Sequence, residues 1–504
     1  MTGAPRRRAA VALLVALAAA AFHATYAFDG IALFDEGILI DGAWRVRDGA
    51  IPGIDGWMPY GPGMYWLLAP FLAWCGESVA VVRAVLVALH ALSAGALCWL
   101  LLGTATLPGA LLATAVLVVA HGSFHKSAIV VAALLALFAA QRLARRDGRG
   151  AFVAGLLCAL GFLFRHDVGG FAAAACGVAL LVEPGMPWRR RCAGAAALTA
   201  GFAALLVPLV LALVAAGLDL GAWWEHEWQR IAVQEQIAVP LAEPRVDGEW
   251  RGGRVALLCA LLLAPLVLLL WGSAAWWRAR RDAAGPPTGG ETPRIAAALF
   301  GLLLLNQVRL IPSANHLFQA IAPVALALGD ALARRGRGWR GHGALALLVV
   351  LLVTWVAGAH RGIYSGTFRQ RLEPGVEPAL ERAGIRLKPE FARALEATVT
   401  SIRRRVAPNQ TVATSPGAPL LAFLADRMLA IPCAEASYWY HEPRFQAEAI
   451  AALERNQPPL LVTDGSSPAT FAFEAAAPLV ARWLAERYRP VEQHGPFTLH
   501  ERRR

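Results

Sequence analysis

The sequence predicts an α-helical polytopic membrane protein of about 11 transmembrane helices, followed by a small α/β domain. Three observations carry that prediction. Of the 504 residues, 57% are hydrophobic and 16% charged, whereas a soluble domain carries about 25% charged residues. Apolar runs approach or reach the roughly 17–25 residues needed to cross a bilayer, and the mean hydropathy is +0.49. From residue 361 onward the chain turns polar, beginning with a linker punctuated by Gly366, Pro374, Pro378 and Pro389.

The formal charge of +12 comes almost wholly from arginine. A basic chain invites a nucleic-acid reading. Here the arginines sit in short clusters between apolar runs, as in cytoplasmic loops, so no nucleic-acid partner is expected. Placing the clusters at 6–8, 142–149, 189–191, 278–281 and 334–340 in the cytoplasm orders the helices. The first, 9–27, leads out to an external loop at 28–79. Helix 80–103 returns, 105–121 leads out and 125–141 returns. Helices 151–165 and 168–184 form a hairpin with Arg165-His166-Asp167 at its external tip. Helices 193–217 and 255–277 follow, then a second hairpin, 295–311 and 314–333, and a last outward helix, 343–360. The N-terminus then lies inside and the C-terminus outside. Pro5-Arg6-Arg7-Arg8 and its apolar run have the outline of a signal peptide. No small-residue cleavage site is followed by an ordinary mature start, so the segment reads as an uncleaved helix.

Residues 1–360 thus form the membrane domain and 361–504 an external one. In the latter, Phe391, Leu395, Val399 and Ile402 recur at helical spacing. Strands are expected at 411–414, 460–463 and 497–499, and helices at 445–455 and 477–488, an α/β alternation. Seven cysteines are scattered along the chain. Cys98, Cys158, Cys176 and Cys259 fall inside apolar runs and Cys192 at the edge of one, where thiols pack as small hydrophobes. Cys75 and Cys433 fall outside, at a spacing that supports no particular pairing. No Cys/His metal pattern is present.

The residues that could carry chemistry cluster on the external side. Phe34-Asp35-Glu36-Gly37 follows the first apolar run. Asp35 and Glu36 can be read as the acidic start of a helix, anchored at the membrane surface by Ile40 and Trp44. A carboxylate at a membrane-facing cavity can equally act as general base. Arg165-His166-Asp167 is either a plain turn or an anion site, since ionisable groups at bilayer depth line water-filled cavities. Arg309 and His316 flank the second hairpin tip; arginine grips phosphate through a bidentate fork, and the alternative is a snorkelling side chain. His121, His125 and Lys126 stand at neighbouring helix ends, and two histidines four apart lack a visible third metal ligand. Trp223-Trp224-Glu225-His226-Glu227-Trp228 reads as an interfacial aromatic belt or a surface for stacking sugars. No Gly-rich nucleotide fingerprint, P-loop or nucleophile elbow occurs. That disfavours a nucleotide-driven pump and a nucleotide-sugar enzyme.

The first external loop resembles that of the GT-C-fold glycosyltransferases, which include the protein O-mannosyltransferases and the lipid A aminoarabinose transferases. The resemblance rests on Asp35-Glu36-Gly37, on Gly42-Ala43-Trp44-Arg45-Val46-Arg47-Asp48-Gly49, on Met58-Pro59-Tyr60-Gly61-Pro62-Gly63-Met64-Tyr65-Trp66 and on Val82-Arg83. Tyr-Gly-Pro-Gly stands where the aminoarabinose transferases carry Lys-Pro-Pro. His125-Lys126-Ser127 stands where they carry an acid near the start of the fourth helix.

The resemblance implies a bacterial inner-membrane enzyme with a periplasmic C-terminal domain. It would transfer a sugar from a polyprenyl-phosphate donor to an acceptor lipid, glycan or protein. Asp35 would be the general base, with inversion, and Glu36 would orient the acceptor or assist a metal. Arg309, His316, Arg165 and Lys126 would hold the donor phosphate, and His166, Asp167, Trp57 and Tyr60 would meet the substrate. The fold allows a divalent cation, although no ligand set in this sequence demands one. Two other classes stay open: a transporter or flippase for a lipid-linked or anionic substrate, and a non-catalytic scaffold. No paired halves with broken helices favour the former, and the latter leaves the Asp35 loop unexplained.

Overall fold

The computed structural model describes residues 3–56, 61–120, 123–225, 251–282, 291–310, 317, 320–334, 343, 346, 350, 375–415, 417–431, 443–465 and 477–503. Ten helices coincide with the first ten expected apolar segments. They are α1 (Gly3–Ala24), α4 (Val79–Leu101), α5 (Leu107–Val119), α6 (Ser127–Arg142), α7 (Gly148–Phe164), α8 (His166–Leu181), α9 (Trp188–Ala215), α10 (Arg251–Asp282), α11 (Thr292–Leu310) and α12 (Ile321–Arg334). Five of these stretches are long and apolar enough to cross a membrane, and five more are shorter apolar helices. The chain is a multi-pass membrane protein. The eleventh expected segment lies outside the described residues except at three positions.

Local chemistry sets several helix starts. Ser78 accepts a hydrogen bond from the Val81 amide (3.2 Å), Thr106 from Gly109 (3.4 Å) and Asp147 from Gly150 (2.6 Å), each satisfying an orphan amide of the first turn. Small residues let the helices approach closely. A Cβ on Gly155 of α7 would lie 2.0 Å from the Leu198 carbonyl oxygen of α9. At the arginine-rich end, ion pairs tie the helices together. Arg294 grips Asp330 through Nε and Nη2 at 2.9 Å each, and Trp271 donates to the same carboxylate at 3.0 Å. Arg278 holds Glu291 and Arg146 holds Glu183.

The opposite end carries the first loop and the C-terminal unit. The loop forms α2 (Asp35–Arg47) and α3 (Pro62–Cys75). The C-terminal unit contains α13 (Pro389–Arg405), β1 (Thr411–Ser415), α14 (Pro419–Ala425), β2 (Met428–Leu429), α15 (Pro443–Asn456), β3 (Leu460–Asp464), α16 (Pro478–Arg487), β4 (Tyr488–His494) and β5 (Phe497–Arg502). The sheet order is β2-β1-β3-β5-β4. β1 runs parallel to β2 and β3, while β5 runs antiparallel to β3 and β4. Pro490, which cannot donate to a ladder, sits on the edge strand β4 at its register shift.

Two expectations need correction. Ile40 and Trp44 do not anchor the helix after Asp35 in lipid headgroups. Ile40 is 0% and Trp44 3% exposed, because α2 is packed between the bundle and the C-terminal unit. One continuous apolar core joins Leu39, Tyr65 and Leu86 to Phe423, Val462 and Phe497. Nor is the stretch after 375 a free linker. The Arg386 amide donates to the Phe28 carbonyl (2.7 Å), Gly30 donates to the Arg386 carbonyl (2.8 Å) and Val79 to that of Arg382 (2.9 Å). This tie closes the first loop against the start of α4.

Candidate active site around Asp35

Asp35 is the first residue of α2; the cap position is Phe34, which makes no side-chain capping bond. The positive end of the helix dipole favours a carboxylate there. Its side chain is 45% exposed, and Oδ2 lies 3.6 Å from Nε2 of the buried His125. His125 belongs to a 3-10 turn, Phe124–Lys126, that leads into α6. The Lys126 amide donates to Ser123 (2.9 Å) and the Ser127 hydroxyl to the Phe124 carbonyl (2.5 Å). The turn therefore sets an imidazole beside the carboxylate and an ammonium on the next residue. Behind it, Phe124 packs on Tyr26, His23 and His90, and His23 Nδ1 lies 2.6 Å from the Tyr26 hydroxyl.

Glu36 has another place. It is fully buried, and Arg83 clamps it through Nε to Oε1 (2.6 Å) and Nη2 to Oε2 (2.7 Å). The same guanidinium donates to the carbonyls of Ala27 (3.0 Å) and Gly30 (2.8 Å). Both carboxylate oxygens are spoken for inside the core, so Glu36 is not placed to touch an acceptor or a metal. It fixes the residue before it. Sequence reasoning noted Arg83 as part of a resemblance and missed this clamp. The signal available was a lone arginine on an apolar helix, since such a charge is buried only with partners.

The tip between α7 and α8 stands at the same end. Arg165 pairs with Asp167 through Nε (2.9 Å) and Nη2 (3.2 Å), while Asp167 accepts from the Val168 amide (2.8 Å). Asp167 is thus engaged in starting α8 and in orienting Arg165. The His166 ring meets Phe162 edge-on at 6.1 Å. The Gly61-Pro62-Gly63 start of α3 is pressed onto this tip. A Cβ on Gly61 would lie 2.2 Å, and one on Gly63 3.0 Å, from the Leu163 carbonyl oxygen. Trp57, Tyr60 and His316 lie outside the described residues. Arg309 falls in the last turn of α11, with its side chain outside the described part. Of the aromatic external cluster, Glu225 pairs with Arg444 of α15, and 226–228 lie outside the described residues. Cys75 is a free, exposed thiol; Cys433 lies outside.

A divalent cation would need more donors than the described residues of this site offer. Among the described residues no group of three His, Cys, Asp or Glu side chains converges. Glu36 is committed to Arg83, and the side chain placed beside Asp35 is the imidazole of His125. The described donor set does not fit a cation.

A helical bundle covered by a small α/β unit is the fold of GT-C membrane glycosyltransferases of solved structure. Two solved structures share it along nearly all of this chain. The aminoarabinose transferase ArnT from Cupriavidus metallidurans, bound to undecaprenyl phosphate, superposes with a TM-score of 0.52 at 12% identity, covering 99% of this chain and 98% of that one. The oligosaccharyltransferase AglB from Archaeoglobus fulgidus, in complex with an inhibitory peptide and a dolichol-phosphate, gives 0.52 at 11% identity, covering 99% and 74%. At such identities the likeness is one of fold. No family model and no curated protein matches the sequence.

Proposed function

We propose that the protein is a glycosyltransferase that moves a sugar from a polyprenyl-phosphate-linked donor to an acceptor lipid, glycan or protein. The reaction takes place at the membrane face that carries the first loop. One observation carries this reading: the half-exposed Asp35 carboxylate beside His125, whose turn also carries Lys126, at the end of the bundle that also bears Arg165. Asp35 takes the proton of the acceptor hydroxyl. The freed oxygen attacks the anomeric carbon from the side opposite the phosphate, which inverts the configuration. The bond to the phosphate oxygen breaks, and the lipid phosphate leaves with the electron pair. Lys126 and Arg165, joined by Arg309 and His316, stabilise the charge collecting on that leaving group. His125 holds the carboxylate in place. In this reading the face is periplasmic, the membrane is the bacterial inner membrane, and the N-terminus is cytoplasmic.

The test is transfer from a radiolabelled polyprenyl-phosphate sugar by purified protein. General-base catalysis contributes about 10²–10⁴-fold, so Asp35→Asn should lose at least a hundredfold in kcat while still binding donor. Undiminished transfer by that variant removes the base assignment. Movement of the substrate across vesicles without bond cleavage would point to a transporter instead.

A further inference from the structure

We propose that α14 of the C-terminal unit, together with Arg382, is a positioning element for Asp35, so that this unit controls turnover rather than donor capture. The inference rests on Asp35 being the base, and it is carried by how α2 is held. On one side, α14 lies directly on the start of α2. A Cβ on Gly37 would lie 2.6 Å from the Leu420 amide nitrogen and 2.9 Å from Pro419 Cγ. The Leu420 amide donates to the Leu33 carbonyl, two residues before Asp35, at 3.3 Å. All seven residues of α14 are buried, so its position is set by the α/β core beneath it.

Farther along, Arg382 lies between the two elements. Its guanidinium carbon sits 5.0 Å from the Trp44 ring of α2 and 5.2 Å from the Phe423 ring of α14. Its Nη1 donates to the Phe423 carbonyl (3.1 Å), and Nη2 pairs with Asp426 (2.7 Å) and Glu77 (2.5 Å). Glu77 also pairs with Arg47 at the end of α2. The two aromatic rings meet edge-on at 5.7 Å. A flat cation placed over aromatic faces and fixed by carboxylates transmits position well. The helix that begins with Asp35 is therefore gripped at its start by α14 and at its end by Arg382.

Two variants of the full chain test this, with two readouts. Gly37→Ala raises helix propensity, so α2 itself is not weakened, but the new methyl group must push α14 away. Arg382→Ala removes the stacked clamp. Small misplacements of a reacting group cost up to about a hundredfold. Each variant is expected to lower kcat about tenfold or more, to leave the donor KM within about twofold, and to speed amide hydrogen exchange across Asp35–Arg47. Unchanged exchange in both variants, or faster exchange with unchanged kcat, overturns the proposal. So does a donor KM that rises as kcat falls, since that reports general damage. The exchange readout needs no activity. If Asp35→Asn still transfers sugar, the base assignment fails while the docking of α2 is still tested.

Discussion

Arg83 shows how much one buried side chain can set. It is fully buried, and its three nitrogens serve a carboxylate and the carbonyls of the loop before α2. Each hydrogen bond to a charged group is worth about 1.5–3 kcal/mol. The larger consequence is what its loss would leave behind. Arg83→Ala strands Glu36 as an unpaired buried charge, and we expect about 3–5 kcal/mol of destabilisation, read as a lower thermal midpoint in detergent. Replacing both partners, Glu36→Leu with Arg83→Met, should cost less than the single change, because no orphaned charge remains. A second buried acid sits five residues along the same helix. Burial pushes the Asp41 carboxyl up from its ordinary value against the pull of Arg45, whose Nε lies 2.8 Å away. The polar groups of α2 thus serve its placement, and Asp35 is the acid turned toward solvent.

Close backbone approach defines the site at the scale of elements. Gly42 lets Tyr65 of α3 lie flat on α2; a Cβ there would sit 2.3 Å from Tyr65 Cε1. Gly37 does the same for α14 about 140° around the helix, at 100° per residue. Gly61 seats the start of α3 on the carbonyl of Leu163 at the α7–α8 tip. We expect Gly61→Ala to cost about 1–3 kcal/mol through overpacking, seen as a lower thermal midpoint. The contact between the first loop and the Arg165 tip would loosen with it. Gly170→Ala in α8, where a Cβ meets nothing within 4 Å, carries no such clash and serves as the control for space.

At the scale of the whole molecule, the C-terminal sheet is fastened to its own helix by a charged cluster. Glu492 accepts from the Ser401 hydroxyl (2.6 Å) and from Arg405 (2.5 Å) and Arg404 (2.7 Å) of α13. The Ser401 bond first, then Arg405, holds its carboxyl down to about 2 from an ordinary 4.5. A depressed carboxylate contributes stability that is fully present above its unfolded value and fades as pH falls. The α13–β4 contact should therefore weaken between about pH 4.5 and 2, measured as amide exchange in β4 and β5 of the intact protein. Glu492→Gln should already exchange faster at neutral pH and change less on acidification. Because α13 and α14 share the core that also buries α2, loosening here reaches the Asp35 loop.

Hydropathy and arginine spacing determined the ten described helices of the bundle and the α/β alternation of the C-terminal unit, because burial in lipid or core requires long apolar runs and strict periodicity. They also singled out Asp35, since paired acids at the end of an apolar run stand out in composition alone. Only the tertiary structure decided that Glu36 turns inward to Arg83, 47 positions away in the chain, and that His125 stands beside Asp35. It also decided that Ile40 and Trp44 of α2 turn into protein. Glycines and a mildly amphipathic run look the same in sequence whether they meet headgroups or a folded domain. Which of these covers them depends on contacts between residues hundreds of positions apart.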